Sequence, residues 1–165
     1  MKFKCYDVVE IQGKRYVVGE VISYQEFIVD KTIRYDLNDE NDKKELGVSK
    51  GAQSWTEYGL MPVNGKDKKW LTIVNGEKEY CTFSEPVLRS TPPERYRLHD
   101  KGVERVISVE GQSKARKGDK ADFKEYRMIQ KDKTYVFFME DWHGGLKDQA
   151  QGERIRLSDV HRRRD

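Results

Sequence analysis

Alternating apolar and polar residues at the start of the chain predict a β-hairpin. Residues 15–24 are rich in Tyr, Val and Ile, the side chains that suit a pleated, half-buried surface. Gly19 within this run indicates a β-bulge or a close approach of another backbone. Residues 7–11 precede a turn at Gly13 and are the predicted partner strand.

A three-stranded meander is predicted next. The predicted strands are residues 55–61, 69–74 and 79–83. Asn64-Gly65 and Asn75-Gly76 separate them. Asn-Gly readily supplies the positive φ angles of a two-residue hairpin turn, so two such turns are expected to join these strands.

Two polar segments interrupt the strand pattern of the first half. Residues 36–45 are almost entirely charged or amide, which predicts a solvated excursion, with a short helix possible over residues 41–46. Residues 85–94 contain Pro86 and the pair Pro92-Pro93. Because proline cannot donate to a strand ladder, this stretch is predicted to be a joint between two halves.

The second half is predicted to have the same order of strands and loops as the first. Its predicted strands are residues 103–110, 121–129, 134–140 and 153–160. A polar loop is predicted over residues 112–120, a turn over 130–133, and a further loop from His143.

Short matches in the same order suggest that the halves arose by duplication. Val21-Ile22-Ser23 matches Val106-Ile107-Ser108, Glu57-Tyr58 matches Glu125-Tyr126, and Trp70 matches Tyr135. The predicted fold is all-β or mostly β, with two tandem diverged repeats of antiparallel meander strands. The repeats, about 6–85 and 96–160, are expected to share one domain, 1–165, that is barrel-like or sandwich-like.

Composition sets limits on the class of protein. Hydrophobic residues make up 36% and charged residues 37%, so aromatic side chains are expected to anchor the core. The N-terminus lacks the apolar run of a signal peptide, and no stretch is long and apolar enough to span a bilayer. We expect a soluble cytoplasmic protein with reduced thiols at Cys5 and Cys81.

A family resemblance covers most of the chain. Gly19-Glu20-Val21, the segment from Trp55 to Leu60, and Glu140-Asp141-Trp142 resemble a bacterial family catalogued as domain of unknown function 4178. The resemblance implies no established biochemical activity. It implies an uncharacterised bacterial protein, with an association to membrane-stress and polyamine-related systems that is only indirect.

Three side chains are weak candidates for catalysis. His143 precedes Gly144-Gly145 and could act as a general base, although a polar residue beside a tight turn explains it as well. Glu57 and Glu125 occupy equivalent places in the two halves and could face a shared cleft, although alternation alone would place such residues towards solvent.

Cysteine and metal chemistry are less favoured. Cys81 could pair with His99 or His143, but its position in an apolar strand is typical of an inert small hydrophobe. The three His and two Cys match no standard ligand spacing, so no metal site is predicted. No cofactor is predicted either.

Two groups of residues are candidates for binding. Trp55 and Trp142, with Trp70, could form an aromatic platform for a base, a sugar or a cation, and core packing is the competing explanation. Lys114, Arg116 and Lys117 form a basic loop. With the terminal Arg162 to Arg164, this loop could bind an anionic surface, or it could simply be solvated.

These observations favour a non-catalytic binding or interaction module, with a protein as the first expected partner. An enzyme with a cleft between the two repeats is the first alternative. A protein that binds nucleic acid or an acidic membrane surface is the second.

Overall fold

The computed structural model describes residues 2–27 and 53–163, and within them the chain forms strands and no α-helix. The strands are β1 (Val8–Ile11), β2 (Lys14–Phe27), β3 (Ser54–Pro62), β4 (Lys69–Val74), β5 (Tyr80–Pro86), β6 (Arg97–Gly111), β7 (Lys120–Gln130), β8 (Lys133–Trp142), β9 (Lys147–Arg156) and β10 (Val160–Arg163). A three-residue 3-10 helix, Leu157–Asp159, joins β9 to β10. The prediction of an all-β fold is confirmed.

The strands form a closed eight-stranded antiparallel barrel. Its order is β2-β3-β4-β5-β9-β8-β7-β6, and β6 pairs back with β2. Strands β1 and β10 lie outside this ring and extend the sheet from the first half of β2. The predicted barrel-like meander is therefore confirmed, with β2 to β5 as one meander and β6 to β9 as the other.

The barrel closes at two seams, where one meander pairs with the other. At the first seam β2 pairs with β6, and at the second β5 pairs with β9. A Cβ on Gly152 would lie 2.0 Å from the carbonyl oxygen of Phe83, and one on Gly111 would lie 2.3 Å from that of Gly19. Gly111 also has a φ of 80°, which favours glycine. Each seam therefore needs a residue without a side chain.

Both faces of the β2–β5 sheet are covered. One face carries Tyr24 and Trp55 towards the barrel interior, where they pack with Phe123. The other face carries Tyr58 and Leu71 into an outer core. Further members of that outer core are Phe3, Val9, Ile11, Tyr16, Phe83, Leu157 and Val160. Trp70 and Leu71 are neighbours that point to opposite faces, and both find apolar surroundings for this reason.

The predicted two-residue Asn-Gly turns are wrong in detail. The loop between β3 and β4 spans residues 63–68, and the one between β4 and β5 spans 75–79. Only the glycine of each pair, Gly65 and Gly76, has a positive φ, whereas a type I′ turn needs two such residues in succession. The β3–β4 loop is long because the end of β3 continues past β4, where Met61 and Pro62 pair with β2.

The predicted last strand, residues 153–160, is two strands. β9 pairs with β5 as far as Arg156, and the chain then turns through the 3-10 helix so that β10 pairs with β1. Burial of Leu157 in the outer core stabilises this change of partner. The predicted charged excursion and its short helix, residues 36–45 and 41–46, lie outside the described residues.

The two meanders have the same internal strand order, but the residue matches do not share one register. Val21 pairs with Tyr58, whereas the amide of Val106 donates to the carbonyl of Asp119. Val21 belongs to the outer core and Val106 to the inner one. The bulges beside Gly19 in β2 and beside Ile107 in β6 shift the alternation of the two strands differently. Duplication of the unit stays a prediction.

The seam between β5 and β9 generates a test of barrel closure. In Gly152→Ala the new methyl group would overlap the main chain of β5, which has little freedom to move, so we expect a loss of about 3 kcal/mol in the free energy of unfolding. Urea unfolding monitored by tryptophan fluorescence measures it. Gly19→Ala is the matched control, because the nearest atom to its Cβ is 3.9 Å away. Equal stability of the two variants would contradict the role assigned to Gly152.

Candidate functional site

A cavity of about 1120 Å³ occupies the barrel interior. Eight strands make a barrel that side chains can fill or that can hold one small ligand, and here much of the interior is open. Inward-facing residues from strands on both meanders form the wall. They include Tyr24, Trp55, Glu57, Trp70, Phe138 and Glu140.

Aromatic rings in mutual contact make up much of this wall. Tyr24 and Trp55 are stacked, with centroids 5.7 Å apart, and Phe123 meets the Trp55 ring edge-on at 5.5 Å. Phe138 stacks on Phe123 at 6.0 Å. The indole Nε1 of Trp142 donates to Asp148 at 3.0 Å, which fixes a further ring near Tyr24. Because each ring is held by another, the wall is preorganised.

Two carboxyl groups are buried beside these rings. Glu104 on β6 is fully buried, and Glu140 on β8 is 9% exposed. Within the described residues, no N–H or hydroxyl group donates to the side-chain oxygens of Glu104 or to Oε2 of Glu140. The two carboxyl groups hydrogen-bond to each other instead, which requires a proton on one of them. Burial of two carboxyl groups is costly, because one hydrogen bond between them replaces only part of their hydration.

Burial raises the pKa of both carboxyl groups. It raises the pKa of Glu104 to about 8, although the hydrogen bond with Glu140 lowers that pKa, and the nearby charge of Glu57 raises it further. The pKa of Glu140 lies well above its ordinary value, first because of burial and then because of Glu104. Two neighbouring carboxyls in a medium of low dielectric constant cannot both ionise easily, so the pair retains a proton near neutral pH.

A third and a fourth carboxyl group lie further along the wall. Burial raises the pKa of Glu57 well above its ordinary value, and Glu140 and Glu20 raise it further, whereas Lys68 opposes them. Glu20 is paired with the Lys68 ammonium, which also lies 4.0 Å from the Trp70 ring centroid. The absence of a side chain at Gly59 leaves room for Glu20, since a Cβ there would lie 2.4 Å from its Cγ.

Most residues predicted as functional lie around this cavity. The lining includes Glu57, Glu125, His143, Trp55, Trp142 and Lys114. Glu125 is already engaged, because it accepts from Arg127 at 2.9 Å and has His99 at 3.8 Å. His143 lies 3.3 Å from Asp122, with both side chains at least half exposed. No described hydrogen bond or ion pair joins His143 to either predicted glutamate.

The predicted basic patch is only partly assembled. Arg116 and Lys117 are exposed on the loop between β6 and β7, and neither lines the cavity. Arg162 lies 3.6 Å from Asp7, and Arg163 is paired with Glu10, so the two described tail arginines have partners within the chain. Arg164 lies outside the described residues. Anion binding by this patch stays a prediction.

Glu104 and Glu140 were not predicted to be functional residues, although Glu140 belongs to the Glu140-Asp141-Trp142 motif and the strand pattern carries a signal for both. In β8 the inward positions are Val136, Phe138, Glu140 and Trp142, in strict alternation. In β6 the buried residues Glu104 and Val106 follow the same period of two. A charged residue in step with apolar neighbours is the pattern that marks an inward carboxyl.

Cysteine and metal chemistry gain no support from the described geometry. Burial raises the pKa of Cys81 to about 12, with Asp159 adding to the effect, so its thiolate is scarce at neutral pH. Within residues 2–27 and 53–163, no group of three or more His, Cys, Asp or Glu side chains is arranged to hold a metal ion.

No helix in the described part of the chain is long and apolar enough to cross a membrane.

The buried carboxyls make stability depend on pH. Between the ordinary glutamate pKa of 4.5 and the value of about 8 for Glu104, the native state keeps a proton that the unfolded chain has lost. The free energy of unfolding is therefore expected to fall as pH rises through that interval. Glu104→Gln removes this contribution, so above that interval it should be more stable than the wild type by on the order of a few kcal/mol.

Urea unfolding of the wild type, of Glu104→Gln and of a control variant, Glu110→Gln, across the same pH range checks this expectation. Glu110→Gln, which changes an exposed carboxyl on the same strand, should keep the wild-type slope. If Glu104→Gln also kept the wild-type slope, the assignment of the raised pKa would be wrong.

Of three comparisons with known proteins, one gives a match. No curated protein matches it. No solved structure matches it either. A family model described as domain of unknown function (DUF4178) matches residues 5–157, which is most of the chain and includes both meanders. The resemblance predicted from the sequence is confirmed, and the chain belongs to the DUF4178 family.

Proposed function

We propose that this protein is a non-catalytic binding module that holds a small ligand inside the barrel. The observation that carries this proposal is the cavity of about 1120 Å³ walled by preorganised aromatic rings. Pockets for small molecules are typically concave, mostly apolar and supplied with a few polar groups that set orientation. Trp55 and Tyr24 supply the apolar surface here, and Glu57 and Glu140 supply polar groups.

The enzyme alternative has less support. A general base needs a reactive partner within hydrogen-bond reach, and His143 is instead beside the exposed Asp122. Glu125 forms an ion pair with Arg127, and the raised pKa of Cys81 keeps its thiol protonated at neutral pH. These groups therefore do not form a hydrogen-bonded chain of nucleophile, general base and orienting residue.

The partner and the cellular location expected from the sequence are part of this proposal. A protein partner, a cytoplasmic location and a link to membrane-stress or polyamine-related systems are each compatible with a ligand-binding barrel. A barrel whose interior holds a ligand can report its occupancy to a partner through the loops at either end. The basic loop with Lys114, which lines the cavity, is one such loop.

Nile red, a neutral dye that fluoresces in apolar surroundings, tests the proposal. We expect saturable binding of about one dye per chain, because the dye is smaller than the cavity. Thr72 on β4 faces the cavity, so Thr72→Trp should fill part of it and weaken binding at least about tenfold. Fluorescence titration of the full chain measures both.

The control for added tryptophan is Lys124→Trp, at an exposed position of β7. It should bind the dye as the wild type does. Dye binding that is unsaturable, or that survives Thr72→Trp unchanged while the variant is folded, would contradict a ligand site in the barrel.

A further inference from the structure

Arginine side chains line one mouth of the barrel. At the end where β6 begins and β7 ends, a second hollow of about 560 Å³ adjoins the cavity. His99, Arg127 and Arg154 line both spaces, and Arg95 and Arg97 line the second hollow. No aspartate or glutamate of the described residues lines this hollow. We call these five residues the arginine mouth.

Strand pairing brings two guanidinium groups of the arginine mouth side by side. Arg97 on β6 pairs directly with Arg127 on β7, so both side chains leave the same face of the sheet. Like charges placed directly opposite each other are destabilising. Arg127 has Glu125 as a partner at 2.9 Å, whereas the guanidinium of Arg97 donates to the carbonyl oxygen of Tyr96 at 3.2 Å and belongs to no ion pair among the described residues.

The remaining charges of the arginine mouth are weakly compensated. Arg154 lies 3.9 Å from Glu77, which is a long contact for an ion pair. Arg95 is exposed, is in no described ion pair, and has a φ of 72°, a conformation that residues other than glycine seldom adopt. Asp100, which lines the main cavity, accepts from the backbone amide of Lys101 at 2.8 Å. Positive charge is therefore in excess where the barrel opens.

The apolar wall of the barrel begins beside these arginines. Val136 on β8 is directly opposite Arg127, and Phe138, one inward position further along β8, is opposite Glu125. Both β8 residues line the cavity. Donors of positive charge and an apolar surface are thus adjacent, which is the arrangement that suits a molecule with a charged head and an apolar body.

We propose that the ligand is an organic anion whose carboxylate or phosphate head binds to Arg97 and its neighbours at the arginine mouth and whose apolar body lies along the aromatic wall. This inference rests on the proposed function and names the chemical class of its ligand. The guanidinium group carries five N–H donors in a fixed fork, which matches two oxygens of a carboxylate or a phosphate. Both head groups share this chemistry.

The inner carboxyl groups lie away from the proposed position of the head. Glu104 and Glu140 pair with Ala121 and Phe123 of β7, which lie about 13 to 20 Å along that strand from Arg127. The two carboxyl groups also share a hydrogen bond and retain a proton near neutral pH, which reduces their negative charge. An anion at the arginine mouth therefore gains from the guanidinium groups more than it loses to these carboxyl groups.

Other ligand classes fit this mouth less well. The ammonium group of an organic amine would meet the like charges of Arg97 and Arg127. A neutral alcohol could accept one hydrogen bond but would leave the charge of both guanidinium groups uncompensated. An anion removes the repulsion between the paired arginines, so its binding also stabilises the fold.

Four probes that share one phenyl ring and one alkyl chain test the inference. They are phenylhexanoate, phenylhexyl phosphate, phenylhexanol and phenylhexylamine, titrated calorimetrically into the full chain at about pH 7, where the carboxylate is ionised. We expect both anions to bind at least about tenfold more tightly than the alcohol, and the amine to bind least. The tighter of the two anions identifies the head group. Acetate, which has a head and no apolar body, should bind at least about tenfold more weakly than phenylhexanoate.

Substitution of Arg97 separates a contact with the head from a role in the fold. Arg97→Gln should weaken binding of both anions about tenfold and leave alcohol binding within about twofold. Its free energy of unfolding without ligand should equal or exceed that of the wild type, because the repulsion with Arg127 is removed. Arg105→Gln is the matched control, since Arg105 is exposed on the same strand and lines neither space. It should keep the wild-type affinity for each anion.

The outcomes distinguish this inference from the proposed function. Equal affinity for phenylhexanoate and phenylhexanol, in a chain that binds Nile red saturably, would overturn the organic anion and leave the binding module in place. Equal losses in Arg97→Gln and Arg105→Gln would also overturn it, because they would show an effect of overall charge. Equal affinity for acetate and phenylhexanoate would exclude the apolar body from the barrel. Failure of Nile red to bind would remove the proposed function itself.

Discussion

The interior of this protein exists because two meanders close on each other at two seams. A sheet of four strands has two unpaired edges, and each edge of β2–β5 meets an edge of β6–β9. The main chains approach so closely there that Gly152 and Gly111 have no room for a Cβ. Without this contact the strands would form an open sheet, and their inward residues would face water.

Closure also decides the electrostatics of the interior. In an open sheet Glu104 and Glu140 would be hydrated and would have ordinary pKa values. Inside the ring they lose that hydration, and this is the largest cause of their raised pKa values, to which the neighbouring carboxyl groups add. The outer core covers the second face of β2–β5 with Phe3, β1 and β10, so both faces of this meander are buried.

Most of the strands could be predicted from the sequence because alternation is a local property. The bounds of β4 match the predicted residues 69–74, and β3 and β7 match within one residue at each end. The seams could not be predicted, since pairing of β2 with β6 joins segments about 85 residues apart and leaves no local trace. The two-residue turn predicted at Asn64-Gly65 failed because the end of β3 continues past β4 to pair with β2, which lengthens the loop.

Only some residues of the candidate site could be predicted from the sequence. The sequence indicated Glu57, Trp55 and Trp142, and all three line the cavity. Alternation sorts residues into two faces but does not say which face is enclosed, and in β2–β5 both are buried. Glu104 and Glu140 were not predicted to be functional, although each keeps the period of two of buried neighbours in its strand. The closed ring shows that this buried face is the inner one.

The inner carboxyls are also where the chain departs most from what stability alone would favour. Apolar side chains of similar volume at positions 104 and 140 would avoid the desolvation of two carboxyl groups, and replacement of buried charge by packed apolar groups is often stabilising. The surroundings already suit such residues, since Val106, Phe123 and Phe138 are immediate neighbours. Places where local rules are broken inside an otherwise consistent fold are expected at functional sites. The same argument does not extend to Glu125, whose partner Arg127 gives it a structural explanation. The cost of burial therefore distinguishes among the carboxyls of one barrel, because Glu104 and Glu140 have only each other as hydrogen-bond partners among the described residues, whereas Glu125 has a cation beside it.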